Sequence, residues 1–201
     1  MNDVQREVLV GLLLGDGHIE QPYVTSRARL KVEQREEMKT YVQWLYAIFQ
    51  NWVRGTITPR THSLKTTGKS YEYFGFTTFG HEEFMLYRQL FYPNGKKVIP
   101  DTLEDLLTPL GLSVWFMDDG SAKSHQSKGR ILNTHSFTLK EVELLCAILQ
   151  TKFCLDAWPR QQRDGVQIYI SGKSADTLQA LLEPHLIPAM RYKLPWHNHS
   201  R

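Results

Sequence analysis

Cysteine is scarce, long apolar runs are missing and net charge is small. Two cysteines in 201 residues, Cys146 and Cys154, supply neither a disulfide framework nor a four-ligand zinc site, so a reducing interior is the default. No apolar run approaches the roughly 20 residues that a bilayer crossing needs. Low-complexity tracts are absent, and the apolar segment at Val8 follows acidic residues without a cleavage pattern, so it is not expected to be a signal peptide. With a formal net charge of only +3, an anionic partner has to be met by charges gathered on one face. What the chain does have is apolar residues, 41% of the total, enough for one compact domain or two half-size lobes.

The apolar residues are organised around Leu112-Ser113-Val114-Trp115-Phe116-Met117-Asp118-Asp119-Gly120, which ends abruptly in two carboxylates and a glycine. Near the N-terminus, Leu9-Val10-Gly11-Leu12-Leu13-Leu14-Gly15-Asp16-Gly17 follows the same plan, offset by 103 residues (from 16 to 119). Alone, either run is a core helix followed by an Asp-Gly turn. Two copies half a chain apart predict a duplicated unit. Each reads as a short buried helix stopped by a glycine in a positive-φ conformation. Each places an acid at a helix C-terminus, where the macrodipole is already negative, so a compensating cation is expected there. Gly11 and Gly15, four apart, predict a close helix-helix contact, set against Ser113 or Met117 of the other run.

The remainder repeats as well. Asn2 or Asp3 caps the first helix, and the alternation Arg27-Ala28-Arg29-Leu30-Lys31-Val32 has the period of a half-buried strand with a basic wet face. An amphipathic helix follows over 36–50, then strands near 56–60 and 71–77 joined by a loop with Lys65 and Lys69, then a helix over 81–92 broken by Pro93-Asn94-Gly95. In the second half Thr108-Pro109 supplies an N-cap and a first-turn proline. Residues 130–135 take the place of 29–34 at an offset of 101, and Thr138-Leu139-Lys140-Glu141 is a capping box. Strands over 157–162 and 166–171 flank the hairpin signal Asp164-Gly165, and a last helix covers 174–182. Each half closes on a lysine shortly before a proline, Lys96-Lys97 before Pro100 and Lys193 before Pro195.

The paired runs resemble the two signature helices of the LAGLIDADG homing endonucleases, in the single-chain, two-motif branch. The resemblance implies an α+β fold: two pseudo-symmetric αββαββα units, residues 1–95 and 108–201 with a linker at 96–107, forming a saddle of antiparallel sheets. The signature helices would pack at the pseudo-twofold. The concave surface would be lined by Arg27, Arg29, Lys31, Arg60, Lys65, Lys69, Lys123, Lys128, Arg130, Asn133, His135, Arg160, Gln162, Arg163, Gln167 and Tyr169, a duplex-binding footprint.

By the same resemblance Asp16 and Asp119 are the catalytic acids and metal ligands, joined by the backbone carbonyls of Gly15 and Asp118, while the Asp118 side chain is read as structural or as a support behind the ligands, not as a ligand itself. Lys97 and Lys193 are the basic residues near each site, with Lys96 a rival for Lys97. The cofactor would be Mg²⁺, with Mn²⁺ a substitute and Ca²⁺ supporting binding without cleavage. The implied activity is a double-strand break across the minor groove of a long asymmetric DNA site, leaving short 3′ overhangs, by a monomer with no membrane partner. Location would be inside the cell, in a mitochondrion, a chloroplast or a bacterial cytoplasm. Two other classes share the scaffold: a group I intron RNA maturase, which would not need both acids, and a non-catalytic DNA-binding regulator. His197-Asn198-His199 is read as a frayed tail, and His18 and His135 as sheet-face residues.

Overall fold

The structure is a computed structural model and describes residues 1–63, 70–124 and 126–194. The first unit comprises α1 (Asp3–Leu14), β1 (His18–Glu20), β2 (Arg29–Arg35), α2 (Lys39–Phe49), β3 (Thr58–Ser63), β4 (Ser70–Thr77) and α3 (Glu82–Phe91). A short α4 (Leu103–Leu106) lies in the stretch expected as a linker. The second unit repeats the order with α5 (Pro109–Asp119), β5 (Gly120–Ala122), β6 (Arg130–Leu132), α6 (Leu139–Phe153), β7 (Ala157–Gln162), β8 (Gly165–Ile170) and α7 (Ala175–Leu182). Each unit is αββαββα with one four-stranded antiparallel sheet, ordered β1-β2-β4-β3 and β5-β6-β8-β7. The expected α+β duplication is therefore present.

Local chemistry starts these helices where the sequence predicts. Asn2 caps α1 through a capping box with Gln5, Thr108 caps α5 ahead of Pro109, and Thr138 with Glu141 forms the capping box of α6. The helix ends differ from expectation. Among the described residues only Gly95 and Gly165 are glycines with positive φ, so Gly17 and Gly120 are not left-handed stops. They are needed for space instead: a Cβ on Gly17 would meet Leu12 backbone at 2.8 Å, and one on Gly120 would overlap the Phe116 ring at 2.6 Å.

α1 and α5 pack against each other at the centre, with Leu9, Leu12, Leu13, Leu112, Val114, Trp115, Phe116 and Met117 at most 1% exposed. Burying each such side chain contributes about 1.5 to 3 kcal/mol. The approach is closest where side chains are missing. A Cβ on Gly11 would overlap the Gly111 carbonyl and Val114, and one on Gly15 would overlap the side chain of Asp118. These partners replace the expected Ser113 and Met117.

The strand register corrects one alignment. His18 pairs with Lys31 in the first sheet, and Ser121, which lies as far beyond Asp119 as His18 lies beyond Asp16, pairs with Ile131 in the second. The offset between β2 and β6 is thus 100 (from 31 to 131), not 101. A one-residue slip changes the face of every side chain. Arg130 consequently takes the place of buried Leu30 rather than half-buried Arg29, and it is itself 5% exposed.

Gly11→Ala tests the helix crossing. On propensity alone the change should stabilise α1 by nearly 1 kcal/mol, yet overpacking against Gly111 should outweigh that and leave a net loss of about 1 to 3 kcal/mol. Gly55→Ala, with open space around it, should not destabilise. Urea denaturation of both variants checks the sign.

Candidate active site

Because α1 and α5 cross tightly, their C-termini meet. α5 continues through Asp119, whereas α1 stops at Leu14, two residues before Asp16. The Leu12 carbonyl is taken by the Gly17 amide at 2.8 Å, and the Asp16 amide turns across the interface to donate to Asp118 Oδ2 at 3.0 Å. Gln34, at the end of β2, donates its side-chain amide to Asp16 Oδ2 at 2.9 Å and to Asp118 Oδ1 at 3.4 Å. Three carboxyl groups and one carboxamide therefore collect at the foot of the helix pair.

Two ammonium groups face them. Lys97 Nζ donates to the carbonyls of Gly15 at 2.8 Å and Gly17 at 3.0 Å, while Lys193 Nζ donates to Met117 and, at 3.3 Å, to Asp118. Gly15 and Asp118 are equivalent in the two motifs, so the lysines stand in matched places. They are the compensating cations that the helix C-termini call for. Lys96 is exposed and Lys97 half-buried, so Lys97 is the lysine that reaches the motif.

Crowding of acids shows in their protonation. Burial, and then the Asp16 charge, push the Asp119 carboxyl up to about 7, against the opposing pull of Lys97 and Lys193. Burial and Asp16 also hold Asp118 well above the usual carboxylate range. Desolvation lowers both lysines, and the three aspartates partly restore them. Among the described residues two buried donors, the Tyr41 hydroxyl and Trp115 Nε1, have no partner in hydrogen-bonding geometry; the acids nearest them are Asp118 and Asp119.

Among the described residues no three His, Cys, Asp or Glu side chains group as a metal cage. The site offers an oxygen-only set instead: the carboxylates of Asp16 and Asp119, flanked by carbonyls of Gly15 and Asp118 that already accept from lysine. Hard oxygens that repel one another suit a divalent ion that keeps most of its waters.

The sheet faces locate the remaining predicted residues. Pairing puts Arg29, Lys31 and Arg60 on one open face of the first sheet, where acids accompany them: Arg29 pairs with Glu20 at 2.7 Å, and Glu33 binds Arg60 at 2.7 Å, His62 at 3.0 Å and Lys31 at 3.8 Å. Arg27 precedes β2 and pairs with Glu82. Lys65 and Lys69 lie outside the described residues, as do His197 to His199. On the second sheet Arg160, Gln162, Gln167 and Tyr169 share the open face. Asn133 joins them by accepting from Gln167 at 2.7 Å, and Lys123 lies over the Tyr169 ring. Lys128, His135 and Arg163 are exposed in loops beside that sheet. Arg130 is a correction: its guanidinium is buried and donates to the carbonyls of Gly129, Lys193 and Leu194, tying β6 to the segment that carries Lys193.

Gln34, Glu20, Glu33 and Trp158 were not anticipated. Gln34 had a legible signal, since it continues the inward parity of Leu30 and Val32 with a polar side chain. Trp158, 46% exposed and packed edge-on against Tyr169, broke the expectation of a polar outer face.

Comparison with known proteins agrees with this architecture. The profile of the LAGLIDADG DNA endonuclease family matches residues 6–178. The "Cytochrome b mRNA maturase bI2" of Debaryomyces hansenii is 30% identical over 192 residues, covering 94% of this chain and 72% of that protein. The "Probable intron-encoded endonuclease 1" of Wickerhamomyces canadensis is 31% identical over 201 residues, covering 96% and 85%. The solved structure of the homing endonuclease I-WcaI bound to its DNA recognition sequence superposes with a TM-score of 0.90 at 29% identity, over 96% of this chain and 86% of that one.

The raised Asp119 carboxyl sets a pH dependence. Between its ordinary value and about 7 the folded state holds more proton than the unfolded state, so stability falls as pH rises through that window and levels off above it. Without divalent metal, the protein should therefore melt lower at pH 8 than at pH 5. Asp119→Asn should shrink that difference by at least about 2 °C. Thermal melts in chelator at both pH values check this; a wild type more stable at pH 8, with no change in the variant, contradicts it.

Proposed function

The chain belongs to the LAGLIDADG DNA endonuclease family, and within it we propose that this protein is a site-specific, intron-encoded homing endonuclease that cuts both strands of double-stranded DNA. The observation that carries the reading is that Asp16 bonds across the helix crossing to Asp118 and its charge acts on the adjoining Asp119, with a lysine ammonium beside each motif. A purely binding or RNA-chaperoning scaffold has no use for two mutually repelling carboxyl groups at a helix crossing, which cost stability when no cation is bound.

Asp16 and Asp119, with the carbonyls of Gly15 and Asp118 beside them, would hold a divalent cation, Mg²⁺ by preference with Mn²⁺ as substitute. When bound, that ion supplies neutralisation of phosphate charge and a water acidified for attack. The chain's own groups do the rest. Lys97 and Lys193 place positive charge beside each scissile phosphate, where charge builds in the transition state. Gln34 holds the Asp16 carboxylate in one orientation. The open faces of the two sheets grip a long duplex through phosphate and base contacts, which leaves the minor groove at the helix ends and short 3′ overhangs after cleavage. Unequal surroundings of the two acids suit an asymmetric target read by a monomer. Relatives named for cytochrome b mRNA and for introns support an organelle genome inside the cell as the source.

The maturase relative favours a second reading, in which the same saddle binds its group I intron RNA and assists splicing. Incubation with plasmid carrying the uninterrupted insertion site, with and without Mg²⁺, separates the two. Cleavage supports the first; splicing assistance with no cleavage supports the second.

Asp16→Asn or Asp119→Asn should abolish cleavage and leave DNA affinity within about threefold, since affinity comes from the sheets. Ca²⁺ should support binding without cutting. In the absence of DNA, Mg²⁺ should raise the melting temperature of wild type at pH 8 and do so less in either variant. Lys97→Met and Lys193→Met should each accumulate nicked plasmid and spare opposite strands on end-labelled duplex. Normal linearisation by both would remove the lysines from the chemistry.

Recognition is tested at Arg29. A bidentate arginine-base contact is worth about 1 to 3 kcal/mol, so Arg29→Ala should weaken specific binding about 5- to 150-fold and non-specific binding less. An equal loss on both DNAs, with the salt slope reduced by about one charge, would make Arg29 a phosphate contact.

A further inference from the structure

The two motifs hold their last acids by different means. Asp119 lies inside α5, and Gly120 after it still bonds to the Phe116 carbonyl. Asp16 lies outside α1: the Leu12 carbonyl that would have received its amide goes to Gly17, and the Asp16 N–H is left to the partner helix. Its acceptor is Asp118 Oδ2 at 3.0 Å. The other Asp118 oxygen takes Gln34 at 3.4 Å, and Gln34 in turn holds Asp16 Oδ2 at 2.9 Å. Asp118 thus touches Asp16 both directly, at the backbone, and through Gln34, at the carboxylate.

Glycine at position 15 makes this possible. It stands in the first motif where Asp118 stands in the second, and a side chain there would overlap the Asp118 carboxyl group. The pseudo-twofold is broken at this one pair, an acid on one side and an empty cradle on the other. Among the described residues there is no second copy of the arrangement: Thr134, the counterpart of Gln34 at the offset of 100, is buried and donates to the Val166 carbonyl instead.

We infer that Asp118 is a positioning residue, which fixes the peptide and carboxylate of Asp16 through hydrogen bonds from the opposing helix and so does for Asp16 what the helical ladder does for Asp119. The inference rests on the endonuclease reading for its catalytic consequence but not for its geometry. The Asp118 side chain touches no substrate or cation in this scheme and acts only through Asp16, whatever its backbone carbonyl does.

Leucine has the branched shape of aspartate, with greater bulk and no acceptor, and asparagine keeps an acceptor oxygen without the charge. Asp118→Leu removes a desolvated carboxyl group but adds bulk against Gly15, so its melting temperature should stay within a few degrees of wild type. It should nevertheless cleave at least about 10-fold more slowly under single-turnover conditions, with DNA affinity unchanged. Asp118→Asn should stay within about threefold of wild type. In the free protein, the Asp16 amide proton should resonate downfield in wild type and Asp118→Asn and move upfield in Asp118→Leu or Asp118→Ala. Equal rates for the Leu and Asn variants would overturn the inference, as would an Asp16 amide that ignores all three substitutions. If Asp118→Asn is as slow as Asp118→Leu, the charge matters rather than the bond, and positioning is again refuted. Should Asp118→Leu not fold, the amide shifts of the Asn and Ala variants decide. Should wild type cut no DNA, the endonuclease reading fails by itself, and the amide shifts still test the contact.

Discussion

The close crossing of α1 and α5 is the constraint on which the rest of the molecule depends. Two helices whose axes are separated by ordinary side chains would leave their C-termini too far apart for carboxyl groups on both to interact. Gly11 lying on the Gly111 carbonyl, and Gly15 lying on Asp118, remove that spacing. Everything chemical follows from the approach: the Asp16 amide reaches across to the other helix, Asp119 feels the Asp16 charge, and each lysine serves a motif in the company of the other.

Bringing two negative helix ends together with three carboxyl groups is unfavourable unless positive charge comes with them. Lys97 and Lys193 arrive on the segments that follow α3 and α7, outside the helices they serve, and they donate to carbonyl oxygens rather than to the carboxylates. This arrangement neutralises the helix ends while leaving the Asp16 and Asp119 oxygens unclaimed by an ammonium group. The acids are therefore stabilised without being quenched, a condition that ligation of a cation requires and that a simple salt bridge would defeat.

Much of this was legible in the chain. Repeated motifs, alternation at Arg29 and Val166, and the caps at Asn2, Thr108 and Thr138 fix the element order because each is a local signal with one structural meaning. Arg130 shows where legibility ends. Its position relative to Arg29 depends on strand register, and an alignment one residue out turned a buried tie between β6 and the Lys193 segment into a surface cation. The partners Gly111 and Val114 for Gly11 were equally hidden, since a helix crossing is set by three-dimensional approach. Gln34 was visible as a polar residue on an inward parity but had no meaning until α1 was seen to stop short of Asp16.

The two open sheet faces differ in kind, and the difference bears on how a duplex would be read. In the first sheet the basic residues are organised by acids. Burial pushes the Glu33 carboxyl up, but Lys31, then the hydrogen bond and charge of Arg60, and then His62 outweigh it and leave the group lowered. Exposed ion pairs of this sort contribute at most about 1 kcal/mol each to stability. Their larger effect is to hold long side chains in one geometry and to lower the positive field that would attract any phosphate backbone. Among the described residues the second sheet has no comparable acids on its face; it presents Arg160, Gln162, Gln167 and Asn133 around Tyr169, which is fixed by Lys123 above its ring and Trp158 at its edge. On the proposed reading, a half-site on the first sheet would be discriminated by arginines that must exchange Glu20 or Glu33 for a base edge. A half-site on the second would meet amides, which pair with adenine, and aromatic surface, which suits a thymine methyl group. On that reading, unequal faces joined at unequal acid sites would leave no symmetric sequence that satisfies both halves, so the asymmetry that begins with Gly15 opposite Asp118 would extend from the chemistry to recognition.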